Sequence, residues 1–545
     1  MLYISPVLKT LCIANGLWVF GTHAAVTIAN GTIQGKIDTL KNVEKFLGIP
    51  YAEPPLGDLR LRQSTPLQKN FDTISATSFG HSCYGPYGSQ QPNASEDCLT
   101  LNIWRPDGFN SRGGEKLPVL VWFYGGGLSG GYTSSPLFEG TNLVSLSKEI
   151  NKPIILISVN YRLSAFGFLN GKQMADLGLL NLGMLDQRLA LRWIQENIVA
   201  FGGDPKKVTL FGQSAGAVSI YSHLISYGGR DDGLYRGAIL QSGGAFPLTH
   251  PNTTDFQKTF DSLFINTSCS SVRNAGASEQ LNCIRKLPIE EFRKNVGTST
   301  GQSIDGNFTP TSIQFAFPAG QYVKVALVVG SNTDEGTTSA PTGMNTLEQL
   351  SKPLAAGFFR PLPLSSNMTS TLLSIYPTDP NLGCPYNTGA YRFAPGVLDK
   401  QACSIFGDLV QIAPARMIAR TLTSNNGGKP IYRYRFNHLA SNVSKTSIGR
   451  GITTGAEQPY VFSNLVPDSP WDQALAREMT SAWISFAYDL DPNTRNGSAL
   501  PYWPKYGTNA STIVFNGYGS TIEQDTYRAE GINYIIDNVL KFGAH

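Results

Sequence analysis

The chain has 545 residues, of which 41% are hydrophobic and 15% are charged, and its formal net charge is +4. This length supports a large core, and a small net charge without a basic cluster gives no indication of nucleic-acid binding. Length alone suggests two to four domains, but α/β folds often run long as one unit. We see no internal repeat or low-complexity linker, so a single domain is the simplest interpretation.

The first 24 residues have the pattern of a secretory signal peptide. Lys9 supplies a positive charge, residues 11–20 form a short and mostly apolar core, and Thr22-His23-Ala24 has the form of a cleavage site. About ten apolar residues are too few to span a bilayer. We therefore expect residues 1–24 to be removed, residues 25–545 to be secreted, and no membrane span to be present.

Cysteine usage agrees with export. Cys12 would leave with the signal peptide, and six cysteines remain. An even number of close neighbours suits local disulfides in an oxidising compartment. We expect three bonds: Cys83–Cys98, Cys269–Cys283 and Cys384–Cys403. A metal site is the alternative, but no Cys-x-x-Cys pattern or histidine spacing supports one, so we expect no metal and no cofactor.

Nine Asn-x-Ser/Thr sequons occur along the chain. They begin at Asn30, Asn93, Asn252, Asn266, Asn307, Asn367, Asn442, Asn496 and Asn509. A single sequon carries little information, but nine of them behind a signal peptide predict a glycoprotein.

Apolar runs alternate with helical stretches through the rest of the chain. Residues 26–35 predict an edge hairpin, and a helix is predicted over residues 186–198. Buried strands are predicted over residues 119–124, 154–159, 208–211, 238–241, 325–329 and 431–436. Continuous apolar strands separated by helices predict a mostly parallel sheet with helices on both faces, an α/β fold. Ligands of such sheets bind at the carboxyl ends of the strands.

The motif Gly212-Gln213-Ser214-Ala215-Gly216 lies between the strand predicted at 208–211 and a helix predicted at 217–226. Gly-x-Ser-x-Gly in this position is typical of a sharp turn that exposes a nucleophilic serine. Glycine is needed beside the serine because a Cβ there would clash. The helix behind Ser214 adds a positive dipole end and free N–H donors. A glycine-rich turn with a chance serine is the alternative, since the bare pattern is weak.

A second glycine motif follows another predicted strand. Tyr124-Gly125-Gly126-Gly127 comes directly after the apolar run 119–124. Without side chains, the N–H groups of Gly126 and Gly127 can point at one spot, and the N–H of Ala215 adds a third donor. These residues predict an oxyanion hole, with a plain glycine turn as the alternative.

Four segments together resemble the type-B carboxylesterase and lipase family, the cholinesterase-like α/β hydrolases, including its secreted fungal members. The matching segments are 46–55, Glu96-Asp97-Cys98-Leu99-x-Leu101-Asn102, Val159-Asn160-Tyr161-Arg162 and 201–216. The resemblance covers nearly all of the chain after the signal peptide. It implies an α/β-hydrolase fold, a large mostly parallel central sheet with helices on both faces, as a single domain over residues 25–545. It also implies a structural ion pair between Arg60 and Glu96.

The resemblance also implies a triad of a serine, a histidine and a carboxylate. The family carries its glutamate just before a glycine, which here indicates Glu335, followed by Gly336. Asp334 is the competing carboxylate. Ser214, Glu335 and the donors Gly126, Gly127 and Ala215 form the predicted site.

The histidine of the family is missing. Residues 451–462 match the family segment that carries it, and Thr454 stands at its position. Threonine has no usable basicity near neutral pH. His438 is the one alternative base, although a structural role is the simpler interpretation; His223, on the helix after Ser214, is expected to be packed.

The missing base makes the activity the open question. In subtilisin, loss of the triad histidine costs on the order of a million-fold in turnover, and roughly a thousand-fold acceleration over water survives. We expect a carboxylic ester hydrolase with reduced or altered activity. The alternatives are a non-hydrolytic enzyme of a secondary-metabolite pathway (cyclase, lyase or acyl transfer) and a catalytically inactive binding protein.

Two features bear on the substrate. Gln213 stands where cholinesterases carry a glutamate, and the loop between Cys83 and Cys98 is short and contains no tryptophan. The aromatic platform that binds choline is therefore not expected, and neither is a long lipase lid. We expect a small or medium organic ester or a related carbonyl compound as substrate.

Overall fold

The computed structural model describes residues 11–14, 17–20, 23–109, 114–244, 248, 250–357, 363–441, 449–466, 469–493 and 499–540. Most of the predicted signal peptide lies outside the described residues, apart from two short paired strands, Leu11–Ala14 and Leu17–Phe20. The strand His23–Ile28 follows. Cleavage after Ala24 would therefore shorten this strand by its first two residues.

One large sheet of thirteen strands, counted over the described residues, forms the centre of the protein. The side strand Thr73–Ser75 pairs with Gly31–Asp38. From one edge to the other, the remaining strands are Thr521–Gln524, Ser511–Phe515, Ile431–Phe436, Ala326–Asn332, Gly237–Gln241, Gly203–Gln213, Leu117–Phe123, Ile155–Val159, Thr100–Pro106, Val43–Pro50, Gly31–Asp38 and His23–Ile28.

The centre of this sheet is parallel and its margins are antiparallel. All strands from Ser511–Phe515 to Ile155–Val159 pair in parallel, and the strands outside them in that order are antiparallel to their neighbours. Every residue of Leu117–Phe123 is buried, so both faces of the centre are covered, as the continuous apolar runs require. The predicted α/β-hydrolase fold class is confirmed, and the hairpin predicted at 26–35 lies at the sheet edge.

The helices agree with the predicted alternation. The helix predicted at 186–198 is Leu182–Asn197, and the one predicted at 217–226 lies within Ala215–Gly229, whose backbone leaves helical geometry at residues 226–228. In chain order the helices are Thr141–Glu149, Ser164–Phe168, Lys172–Asp176, Leu182–Asn197, Ala215–Gly229, Thr254–Asp261, Ala277–Lys286, Ile289–Asn295, Ile313–Ala316, Gly336–Ser339, Leu347–Ala356, Ser366–Ile375, Asp399–Gly407, Ala413–Asn425, Gln458–Val461, Pro470–Asp489 and Ala529–Tyr534.

Two of the three predicted disulfides are present. Cys83–Cys98 and Cys269–Cys283 are bonded. The prediction of a Cys384–Cys403 bond is wrong, because both thiols are buried and unbonded. The Cys384 thiol donates instead to the carboxylate of Asp334, at 3.6 Å. Sequence proximity alone did not reveal that a buried carboxylate would take this thiol as its partner.

One helical run among the described residues, Asp399–Asn425, is long and apolar enough to cross a membrane. Within the fold, 94% of its most apolar window is buried. The run is therefore a core helix of the hydrolase fold. The ion pair expected between Arg60 and Glu96 is also present, with Nε and Oε1 2.6 Å apart.

Candidate active site

The candidate site lies at one edge of the sheet, where three neighbouring parallel strands end. Gly203–Gln213, Gly237–Gln241 and Ala326–Asn332 lie side by side in register. Ser214 directly follows the first strand, Ser242 directly follows the second, and Glu335 lies three residues after the third. Since the carboxyl ends of parallel strands meet at the same edge, residues far apart in sequence come together here.

Ser214 occupies a strained turn between its strand and its helix. Its φ of 54° and ψ of −122° place a non-glycine residue at positive φ, which is uncommon outside such turns. The flanking glycines are required by packing: a Cβ on Gly216 would lie 2.0 Å from the carbonyl oxygen of Phe123, and one on Gly212 would lie 2.6 Å from the Gly216 carbonyl carbon. The Ser214 N–H donates to the Gln241 carbonyl at 2.8 Å.

The second glycine motif lies against Ser214. A Cβ on Gly125 would lie 3.0 Å from the Ser214 Cβ, which shows how closely the two turns approach. Gly126 and Gly127 both have positive φ, 109° and 66°, so this loop can be formed readily only by glycine. Gly127 and Ala215 line the same cavity as Ser214, and Gly126 precedes Gly127 directly.

Glu335 is completely buried and accepts three hydrogen bonds. Its Oε1 accepts from the Ser242 hydroxyl and the Asn332 N–H, both at 2.6 Å, and its Oε2 accepts from the Thr454 hydroxyl at 2.5 Å. Burial disfavours the charged form and raises the pKa of Glu335 to about 7, although these hydrogen bonds oppose the shift. Glu335 can therefore gain or lose a proton near neutral pH.

Asp334, the competing carboxylate, faces away from Ser214. It accepts hydrogen bonds from the N–H groups of Tyr386 and Ile452, at 2.9 and 2.8 Å, and from the Cys384 thiol. Its carboxylate therefore holds two loop backbones together. Only Glu335 contacts residues that line the cavity at Ser214.

Thr454, predicted from the sequence to stand at the position of the family's histidine, lies beside Glu335. Its hydroxyl donates to Glu335 and lies 2.9 Å from the hydroxyl of Thr338. Thr454 is therefore in direct contact with the buried carboxylate.

A second buried carboxylate, which sequence reasoning missed, lies behind Glu335. Glu457 accepts hydrogen bonds from the side-chain amides of Gln241 and Asn332, at 3.1 and 2.7 Å. Its charge adds to the rise in the pKa of Glu335. Sequence reasoning also missed Ser242, although Ser242 follows the strand predicted at 238–241 just as Ser214 follows its own strand.

The cavity at Ser214, called the Ser214 cavity below, has a volume of about 330 Å³. Most of its surface is apolar, although several side chains that line it carry hydroxyl or amide groups. Its lining includes Gly127, Gln213, Ser214, Ala215, Ser242, Thr338, Gln411 and Thr454. No histidine from the described part of the chain lines it.

His438 is hydrogen-bonded to another carboxylate, Asp472. It is buried, its Nε2 lies 2.5 Å from Oδ1 of Asp472, and its Nδ1 accepts from the Gly517 N–H at 3.2 Å. Because Nδ1 accepts, Nε2 carries the proton and donates to Asp472. Asp472 also accepts from the hydroxyls of Tyr460 and Ser441. Both nitrogens of His438 are therefore occupied away from Ser214.

The remaining described histidines also lie elsewhere. His223 is buried in the helix that follows the Ser214 turn. Its Nε2 contacts Gln187 at 3.0 Å, and burial lowers its pKa well below the usual range. His81 contacts the Asn93 carbonyl and His250 is exposed. His545 and the side chain of His23 lie outside the described residues.

Comparisons with known proteins agree with this geometry. The chain is similar to the secreted triacylglycerol lipase LIP1 of Gibberella zeae, with 32% identity over 94% of this chain and 90% of the relative. Secreted lipase 1 of Botryotinia fuckeliana is also 32% identical, over 92% of this chain and 90% of the relative.

Solved structures lead to the same family. Aspergillus niger EstA superposes with a TM-score of 0.81 at 28% identity, covering 94% of this chain and 97% of that chain. A PNB esterase superposes with a TM-score of 0.75 at 28% identity, covering 94% of this chain and all of that chain. Residues 22–534 match the carboxylesterase family. The chain therefore belongs to the carboxylesterase family of α/β hydrolases and is a serine-type carboxylic ester hydrolase.

Proposed function

We propose that this chain, as one domain over residues 25–545, hydrolyses small or medium organic esters with Ser214 as its nucleophile. The observation that carries the proposal is the juxtaposition of the Ser214 turn with the glycine loop at one cavity. The N–H groups of Gly126, Gly127 and Ala215 would stabilise the oxyanion that forms when Ser214 attacks an ester carbonyl.

Substrate size is inferred from the cavity. A volume of about 330 Å³ is at the lower end of the range for small-molecule sites. The short Cys83–Cys98 loop adds no tryptophan and no long lid. The relatives from Gibberella zeae and Botryotinia fuckeliana are named lipases, so long-chain triacylglycerol is the competing substrate and belongs in the same assay.

Activity should be lower than that of a family member with a complete triad. The acid Glu335 contacts the hydroxyl of Thr454 instead of an imidazole. General acid–base assistance is typically worth 10²–10⁴-fold in rate. The wild-type enzyme should therefore turn over activated esters well and unactivated esters slowly, because a poor leaving group needs a proton donor most.

Secretion and N-glycosylation are part of the proposal. Similarity to secreted lipases supports export, together with the signal-like residues 1–24. Of the nine sequon asparagines, Asn442 and Asn496 lie outside the described residues and Asn30 is half-buried. The other six are exposed: Asn93, Asn252, Asn266, Asn307, Asn367 and Asn509. A mass loss on deglycosylation of protein secreted from a eukaryotic host would support glycosylation.

The test compares wild type with Ser214→Ala on p-nitrophenyl esters of increasing chain length and on emulsified triacylglycerol. We expect activity on short and medium esters, weak activity on emulsions, and loss of activity in Ser214→Ala with an unchanged circular dichroism spectrum. Equal turnover by the two proteins would remove Ser214 from the mechanism. Labelling of Ser214 by a fluorophosphonate without ester turnover would favour a cyclase, lyase or acyl-transfer reaction, and neither labelling nor turnover would indicate a binding protein.

A further inference from the structure

Two hydroxyl groups separate the Ser214 cavity from the buried carboxylate behind it. Ser242 and Thr454 both line the cavity, whereas Glu335 does not. Each hydroxyl donates to a different oxygen of Glu335. Any proton that passes between the cavity and Glu335 by the shortest path must cross one of these two hydroxyls.

We propose that the Thr454 hydroxyl relays protons between the Ser214 cavity and Glu335 during ester hydrolysis, in the place of an imidazole. The proposal rests on the proposed role of Ser214. Thr454 needs no basicity of its own for this role, because a hydroxyl group can accept one proton while it donates another.

Hydrogen-bond occupancy favours Thr454 over Ser242 as the route. Oε1 of Glu335 accepts from Ser242 and from the Asn332 N–H, whereas Thr454 is the one described donor to Oε2. Because hydrogen bonds to a carboxylate oxygen stabilise its negative charge, Oε2 is the more basic of the two oxygens and takes up a proton more readily. The Thr454 oxygen accepts from Thr338, which leaves one lone pair directed elsewhere.

The proton balance of each step is complete. As the Ser214 oxygen bonds to the ester carbonyl carbon, its proton passes through a water molecule in the cavity to the Thr454 oxygen, and the Thr454 proton moves to Oε2 of Glu335. The reverse transfer protonates the departing alcohol oxygen when the ester C–O bond breaks. A second water then attacks the acyl-enzyme, loses its proton along the same path, and the proton returns to the Ser214 oxygen. The sum is ester plus water giving acid plus alcohol.

The surroundings of Glu335 suit it to receive this proton. Burial raises its pKa to about 7, so its ionised form is a competent base near neutral pH. The titratable groups that face it are the Glu457 carboxylate, which adds to the rise, and the Tyr434 phenol. Asp334 is adjacent in sequence but bonded to two other loops.

The experiment measures single-turnover acylation by a p-nitrophenyl ester across pH, in stopped flow. Thr454→Val keeps the shape of the side chain and removes the hydroxyl, and it should lower the high-pH plateau by about a hundredfold or more. Thr454→Ser restores the hydroxyl and should recover the plateau to within about tenfold of wild type, since the relay needs only the hydroxyl. Wild-type acylation should slow in D₂O.

Ser242→Ala is the matched control. It removes a donor from the same carboxylate, so it should raise the apparent pKa of acylation and lower the plateau far less than Thr454→Val does. Equal plateaus for Thr454→Val and wild type, or the same pattern for Thr454→Val and Ser242→Ala, would overturn the relay.

Two further outcomes keep the test decisive. If Thr454→Val does not fold, as judged by circular dichroism, the absence of a solvent isotope effect on wild-type acylation would overturn the proposal. Equal rates for wild type and Ser214→Ala would instead show that the proposed function itself has failed.

Discussion

Two carboxylates of this protein each bind hydroxyl groups, yet their protonation differs. Asp472 accepts from His438, Tyr460 and Ser441, and these hydrogen bonds outweigh burial and lower its pKa to about 2. Glu335 accepts from two hydroxyls and a backbone N–H, but burial raises its pKa to about 7. Glu335 is fully buried, with Glu457 behind it, whereas Asp472 retains 5% exposure.

Hydrogen bonds lower the pKa of both carboxylates, but the four bonds to Asp472 outweigh burial, whereas the three bonds to Glu335 do not. Burial and the nearby Glu457 carboxylate account for the raised pKa of Glu335. None of the histidines that the structure describes lies beside Glu335, where the family resemblance predicts an imidazole, and His438 instead accompanies Asp472. A carboxylate with hydroxyl partners thus forms a charged structural contact at Asp472 and a contact that titrates near neutral pH at Glu335, beside the cavity.

Placing an imidazole beside Glu335 should give the largest effect. Thr454→His should raise p-nitrophenyl ester hydrolysis by about a hundredfold or more, because it supplies a general base between Glu335 and Ser214. His438→Ala should change this rate little, because His438 is bonded to Asp472. If His438→Ala lost most of the activity and a folded Thr454→His gained none, His438 would be the base and the contrast between the two sites would be wrong.

Removing the charge of Glu335 should stabilise the protein at alkaline pH. The pKa of this group is raised on folding from 4.5 to about 7, so its contribution to stability is complete below pH 4.5 and is lost as pH rises through 7. Glu335→Gln should therefore increase the free energy of unfolding at pH 8 by up to about 3 kcal/mol, and by less at pH 5. Urea unfolding at the two pH values measures this, and a destabilised variant at pH 8 would contradict it.

Removing the charge of Asp472 should act in the opposite direction. Its pKa falls on folding from 3.8 to about 2, so its contribution is present above pH 3.8 and is lost as pH falls through 2. Asp472→Asn should lower the free energy of unfolding at pH 7 by about 2 kcal/mol. Urea unfolding at neutral to alkaline pH measures both variants. If Asp472→Asn and Glu335→Gln changed the free energy of unfolding by the same amount and in the same direction, the two sites would not differ as described.

The smallest expected effect is in the number of free thiols, which tests the loop beside Glu335. Alkylation of the unfolded, unreduced protein after removal of residues 1–24 should modify two cysteines, Cys384 and Cys403, because both are unbonded. Reduction should expose four more, from the two disulfides. Peptide mapping that finds Cys384 joined to Cys403 would show that the Cys384 contact with Asp334 is replaced by a covalent bond.

Local patterns were enough to predict the sheet and its turns. The apolar runs at 119–124 and 431–436 are strands because a run of consecutive apolar residues favours a strand that is buried on both faces. The glycines at 212 and 216 are likewise readable, since only glycine can occupy positions where a Cβ would meet a backbone oxygen. The two local disulfides, 83–98 and 269–283, followed from short sequence separation.

The sequence by itself therefore determined the fold family and the turn at Ser214, and it predicted that Thr454 stands at the position of the family's histidine. Tertiary structure decided which carboxylate bonds to the hydroxyls that line the cavity, because Asp334 and Glu335 are adjacent in sequence and their side chains bond to different segments. It also decided that His438 belongs to Asp472, and that Ser242, Asn332 and Glu457 surround Glu335. The contacts of Glu335 with Ser242 and Thr454 join residues 93 and 119 positions apart, and the pKa of Glu335 depends on burial that arises only when those segments pack together.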